Sequence, residues 1–300
     1  MLWLVVVLAG HLSNAGAFVI DKILLQKIMR HPTVYVFYIG ALGIFAFVLL
    51  PFGNFIWPPV PVIVQSALSG FTFMAALLCF FMALKKSETT RVVPFFGALI
   101  PIWTLIFATV FLGEWLNGRE WYGIALLVVG AILISYESSL APTAITGALA
   151  ALIIFAAGLF AFSSTMLKAV FNSTEFINGF LWTRLFAFLS VLPLLLLPST
   201  RAVVLNMGAG SGTERPTPLF FVGQSLGALG FVLLAWGTQL APRVTIVNAL
   251  QGIQYAFLFI LITILSYLAP RLIKESLSAR ILIQKTLAII ILAGGLVLVA

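Results

Sequence analysis

Charge is scarce in this chain. Of its 300 residues only 8% are Asp, Glu, Lys or Arg, where a soluble domain carries about a quarter. Hydrophobic residues make up 62% and the mean hydropathy is +1.19. That balance excludes a water-soluble enzyme or binding domain. Cysteine is nearly absent: Cys79 stands alone in an apolar run, which rules out a disulfide framework and a cysteine metal site. Neither His11 nor His31 has a second histidine or an acid at ligand spacing, so no metal and no cofactor is expected. Carboxylates are missing from the interior of every apolar run. Asp21, Glu88, Glu114, Glu120, Glu137, Glu175, Glu214 and Glu275 all fall at ends or in links. A membrane-embedded enzyme needs a nucleophile with a base, or a paired acid and base. No such set is visible inside the runs, so no catalytic residue is assigned.

What is present is apolar sequence in lengths that cross a bilayer, since about 20 mostly apolar residues span a hydrocarbon core of about 30 Å. The pattern predicts an all-α polytopic membrane protein with ten spans, at 2–20, 33–52, 61–84, 92–112, 118–136, 145–167, 176–198, 217–239, 244–266 and 281–300. The breaks "KIMRHP", "PFGNFIWPPVP", "KKSETTR" and "NGRE" carry turn chemistry. Residues 199–218 form the longest polar linker, rich in Gly and Ser. The first span has no Lys or Arg before its apolar region, unlike a secretory leader, and is read as a helix that stays. The net charge of +8 is scattered through short linkers, which points to anionic lipid and not to nucleic acid.

The chain also repeats itself. "AGAFVIDK" ending at Lys22 is echoed by "FSSTMLK" ending at Lys168, and "VQSALSGF" (64–71) by "GQSLGALGF" (223–231). Two units of five helices follow, 1–141 and 142–300. Five crossings leave the chain on the opposite side, so the second unit enters inverted, as in many secondary transporters.

Residues 81–134, "FMALKKSETTRVVPFFGALIPIWTLIFATVFLGEWLNGREWYGIALLVVGAILI", resemble the EamA-type domain of the drug/metabolite transporter superfamily. A short polar link precedes the fourth helix, Pro101 lies within it, "LGE" ends it, and a Gly-bearing fifth helix follows. The second half departs from this pattern: it reads "ILSYLAPRLIKESL" at the matching point, with Glu275 displaced, and Gln254 stands about where Pro101 would fall. The resemblance implies a ten-helix carrier of small organic molecules. It also suggests that Glu114 lies at the positive end of helix 5, accepting orphan N–H groups or pairing with Arg119, as a structural corner with Pro101. The small multidrug-resistance relatives use a buried Glu in their first helix; this sequence has none.

Linkers 1–2, 3–4, 7–8 and 9–10 hold 12 of the 16 basic residues, and the opposite side holds Arg119, Lys168 and Arg243. The positive-inside rule places the first side in the cytoplasm and both termini outside, whereas carriers of the resembled family are usually drawn with both termini inside.

Polar residues within spans are candidates for a substrate path. Arg184, about two turns inside span 7, either binds a carboxylate or phosphate of the solute, or snorkels to the surface or pairs with helix-end carbonyls. Asn248, Gln251 and Tyr255 share one face of span 9, with Gln254 close by. His11 and Asn14 share a face of span 1; His11 either carries a coupling proton or hydrogen-bonds a neighbouring helix. Trp103 is a weaker candidate, and Gln65 and Gln224 sit near span starts, within reach of water. The reading that results is a secondary transporter of small polar metabolites, amino-acid-like among them, in the cell membrane. It works as monomer or homodimer, with a coupling proton or counter-substrate. A scaffold or channel without carrier activity is the alternative.

Overall fold

The computed structural model describes residues 2–24, 32–86, 89–135, 146–198, 200–202, 218–268 and 279–300. The boundary expected near residue 142, most of the linker 199–218, and Glu275 lie outside the described residues. Among the described residues, eleven α-helices carry the fold: α1 Leu2–Leu24, α2 Pro32–Leu42, α3 Val60–Lys86, α4 Thr89–Leu112, α5 Gly118–Ser135, α6 Gly147–Ser173, α7 Phe176–Val191, α8 Pro218–Leu240, α9 Val244–Ala249, α10 Gln251–Leu268 and α11 Ala279–Val299. Among the described residues, nine helical stretches are long and apolar enough to cross a membrane; α5 occupies the remaining expected span.

Three spans are less regular than the hydropathy pattern predicts. The second continues from α2 into a 3₁₀ segment, Gly43–Phe52, and the seventh from α7 into another, Leu192–Leu196. Pro193 accounts for the latter, because it lacks the N–H that would continue the α-helical hydrogen-bond ladder. The ninth span breaks into α9 and α10 at Leu250, whose N–H still reaches the Ile246 carbonyl at 3.1 Å. Beside the break, a Cβ on Gly252 would sit 2.7 Å from Ala131 Cβ and 2.9 Å from Leu292 Cδ2. Glycine here lets α10 press against α5 and α11 together.

The closest packing joins helices far apart in sequence. α1 lies along α8, α3 along α6, and α5 along α11, with α4 against α6 and α1 against α10. In a bilayer no hydrophobic force drives helices together, so close approach and hydrogen bonds must do it. Across α3 and α6 the bonds are reciprocal: Ser69 Oγ donates to the Ser163 carbonyl at 3.0 Å, and Ser163 Oγ to the Ser69 carbonyl at 2.8 Å. Across α1 and α8, Ser13 Oγ donates to the Leu226 carbonyl at 2.8 Å. Small residues line the same seam, where a Cβ on Gly10 would meet Leu234 at 2.9 Å.

Candidate functional site

The polar residues picked from sequence fall into three clusters, each joining helices of the two halves or enclosed by them. The first joins α1 to α10. His11 Nδ1 donates to Gln254 Oε1 at 3.2 Å, both side chains are buried, and His11 Nε2 has no partner. One turn along α1, Asn14 lies against α8 so closely that any Cβ on Gly230 would collide with its amide oxygen.

The second cluster centres on Asn248 in α9. Its Nδ2 donates to Thr104 Oγ1 of α4 at 2.8 Å and to Ser164 Oγ of α6 at 2.7 Å. Thr104 Oγ1 in turn donates to the Ile100 carbonyl at 2.7 Å, the residue before Pro101. Two turns from Asn248, the Tyr255 hydroxyl reaches the backbone of α4, lying 3.1 Å from where a Cβ of Gly97 would be. Trp103 stacks on Phe107 at 5.6 Å and packs over Gly158 of α6. Gln251 is half-buried beside the break in the ninth span.

The third cluster is Arg184. It lies about 12 Å into α7 at 1.5 Å per residue, 7% exposed. Its guanidinium sits 4.4 Å from the Phe231 ring centroid, 5.2 Å from Phe73 and 5.6 Å from Phe180. Among the described residues no carboxylate or carbonyl pairs with it, and Nε is buried without a partner. It does not snorkel. Nor does any hydrogen bond join it to the α9–α10 stripe among the described residues. Its position follows from Gly70: a Cβ there would stand 2.6 Å from the Ala187 nitrogen and 2.8 Å from the Thr183 carbonyl. That backbone contact brings Phe73, one turn further along α3, over Arg184.

An ionic knot closes one end of these helices. α4 stops at Gly113, whose φ of +64° suits glycine, and the Glu114 N–H turns back to the Ala108 carbonyl at 3.1 Å. This left-handed glycine stop aims the Glu114 side chain away from its own helix. The carboxylate accepts the N–H of Val244, the first residue of α9, at 3.2 and 3.3 Å. The sequence reading placed Glu114 at the start of α5 or against Arg119. Instead Arg119 donates to the Val297 carbonyl at 2.9 Å, and α5 is capped by Asn117 and Glu120. Asn117 Oδ1 accepts the Glu120 N–H at 2.9 Å and Glu120 Oε2 accepts the Asn117 N–H at 2.8 Å, a capping box. Glu120 also pairs with Arg243. Lys168, from α6, donates to the carbonyls of Thr238, Gln239 and Ala241 at 2.9, 3.0 and 2.5 Å, satisfying the C-terminus of α8. Partial burial pushes the Glu114 carboxyl above the usual carboxylate range, against the Val244 amide and the charges of Lys168 and Arg243, which pull it down.

Sequence reasoning missed Thr104, Ser164, Lys168 and the three phenylalanines. Gln65, expected to reach water, instead has its Oε1 buried without a partner, whereas Gln224 is exposed.

These features define a multi-pass helical membrane protein with hydrogen-bonding and charged groups turned inward. Residues 1–136 match the EamA-like transporter family. That match contains residues 81–134, so the resemblance they carry to the EamA-type domain of the drug/metabolite transporter superfamily holds. A curated relative from Sinorhizobium sp, named an uncharacterized transporter in the cobO 3′ region, is 41% identical over 69 residues, 23% of this chain. The chain spans about half of that relative's length, 48%. Over nearly its whole extent the fold is similar to a protein crystal structure, with a TM-score of 0.67 at 15% identity, covering 98% of this chain and 96% of the other.

Proposed function

We propose that this chain is a secondary transporter, moving small polar organic metabolites across the cell membrane by alternating access between two inverted five-helix units, 1–141 and 142–300. The observation that carries the reading is Asn248. It stands in the membrane-spanning region, bound at once to Thr104 of the first unit and Ser164 of the second. Such contacts average only about 0.6 kcal/mol in membranes, so a solute that offers its own polar groups can replace them at little cost.

The packing supports two units. Exchanging each helix for its counterpart five spans on turns the α1–α8 seam into the α6–α3 seam, and these are the two most extensive interfaces in the fold. The printed name of the relative, a transporter, supports the same class. In this reading the Glu114–Val244 and Glu120–Arg243 ties, each joining the first unit to the second, part when their end of the molecule opens. A bound solute shifts the balance by its differential affinity for the two states. With no Asp or Glu deep in any span, transport runs by facilitated diffusion or exchange against a counter-substrate.

The test is flux of a panel of radiolabelled metabolites, amino acids included, into vesicles reconstituted with the full chain. The reading expects uptake that saturates, and that N248A impairs. Uptake equal to that of protein-free vesicles for every solute would leave the scaffold reading in its place.

A further inference from the structure

We propose that Arg184 and the rings around it recognise the carboxylate of a small apolar monoanion, so that the transported solutes are organic monocarboxylates and not cations or phosphates. The inference rests on the transporter reading above and names its substrate class.

Arginine stays protonated at any accessible pH, and a cation at mid-membrane costs at least about 2.5–3.5 kcal/mol. Among the described residues Arg184 has no counter-ion, and its Nε donor is buried without an acceptor. The rings of Phe73, Phe180 and Phe231 stabilise its charge through their faces. Aromatic faces are only weak acceptors for its N–H groups. An oxyanion is the strong acceptor for such donors, and a planar guanidinium fork meets a carboxylate with two parallel hydrogen bonds.

The size of the charge narrows the class. Among the described residues Arg184 is the one cation over these rings. One positive charge balances one carboxylate, whereas a phosphate dianion would bring surplus negative charge into an apolar surround. The rings lie close together, Phe73 to Phe231 at 5.8 Å and Phe180 to Phe231 at 6.0 Å, and offer apolar surface to the rest of the solute. A hydrophilic polyanion would forfeit that surface. An organic cation would meet repulsion from Arg184 where it sought the same faces.

The test uses the full chain purified in detergent and measures equilibrium binding of radiolabelled benzoate, with benzamide, benzylammonium and inorganic phosphate as parallel probes. Benzoate is expected to bind and to raise the melting temperature, with the other three at least about tenfold weaker. R184Q should weaken benzoate at least about tenfold. R201Q, which removes the same charge from an exposed position, should leave it unchanged. If R184Q does not fold, F231L keeps the charge, removes the nearest ring and should weaken benzoate several-fold. Absence of benzoate binding to the native chain, equal binding by R184Q or by F231L, or phosphate or benzylammonium bound as tightly as benzoate, each overturns the proposal. The two readings fail separately. Benzoate that binds through Arg184 yet never crosses the membrane removes the transporter and leaves the site. A metabolite carried equally by the native chain and R184Q removes the site and leaves the transporter.

Discussion

Glu114 accepts the backbone N–H of Val244 at 3.2 Å across 130 residues of chain. A carboxylate at the end of its own helix would oppose the helix dipole; here the Gly113 stop turns it onto the positive end of another. The "LGE" that closes α4 is therefore a helix stop followed by a cap for a partner helix. It ties the first half of the chain to the start of the broken ninth span.

The Glu114 carboxyl titrates above the usual carboxylate range, chiefly because it is half-buried. A group whose folded pKa is raised binds protons more tightly when folded, so its contribution is complete below the ordinary carboxylate value and is lost as pH rises through the folded value. Thermal melts of the purified chain should show this share of stability falling as pH rises through that window. In E114Q, which keeps an acceptor for Val244 without the charge, the pH-dependent share should vanish. E114A, lacking any acceptor, should melt lower, by about 1 kcal/mol of stability. An unchanged pH profile in E114Q would show that Glu114 does not titrate in that range.

Gly113 separates conformation from space. Nothing lies within 4 Å of a Cβ built on it, yet its φ is +64°. G113A should therefore cost about 1–2 kcal/mol through backbone strain alone. G113N, better tolerated in that region, should cost less. Equal melting of the two variants would count against a stop that depends on the left-handed backbone of Gly113.

Gly70 is the opposite case, with ordinary backbone and no room. A single methyl group there meets the backbone of α7 at 2.6 Å. G70A should lower stability by about 1–3 kcal/mol, whereas G43A, where a Cβ meets nothing within 4 Å, should be near neutral. A melting comparison of the pair reads the α3–α7 contact directly.

Much of the frame was legible in the sequence, because hydrocarbon demands long apolar runs whatever their partners. The capping box was legible too, as Asn117 followed three residues on by Glu120, though it was passed over as a turn. Partners were not legible. Thr104 and Ser164 read as ordinary helical residues bonding their own backbone, and only the fold brings Asn248 between them. Arg184 announced itself by charge, while Phe73 and Phe231, on other helices, look like any other lipid-facing phenylalanine. Glu114 was assigned to the nearest helix start in sequence; its true partner is nearest only in space. The second span turns to 3₁₀ within apolar sequence, and the break at Leu250 falls between Asn248 and Gln251, polar residues that an unbroken helix would carry equally well, so hydropathy marks neither.

The Asn248 hub should behave as a coupled unit. In double-mutant cycles pairing N248A with T104A or S164A, the interaction energies should be about 0.6 kcal/mol each. Strict additivity in both cycles would mean that neither hydrogen bond holds in the membrane.

Alternating access requires the ties at Glu114 and Glu120 to part for solute to cross. In a C79S background, E120C and R243C can be joined by a short, cleavable, thiol-reactive cross-linker and solute uptake into reconstituted vesicles followed. Uptake should stop when the link forms and return when it is cut. Uptake that continues undiminished across the intact link would contradict alternating access at this end of the molecule.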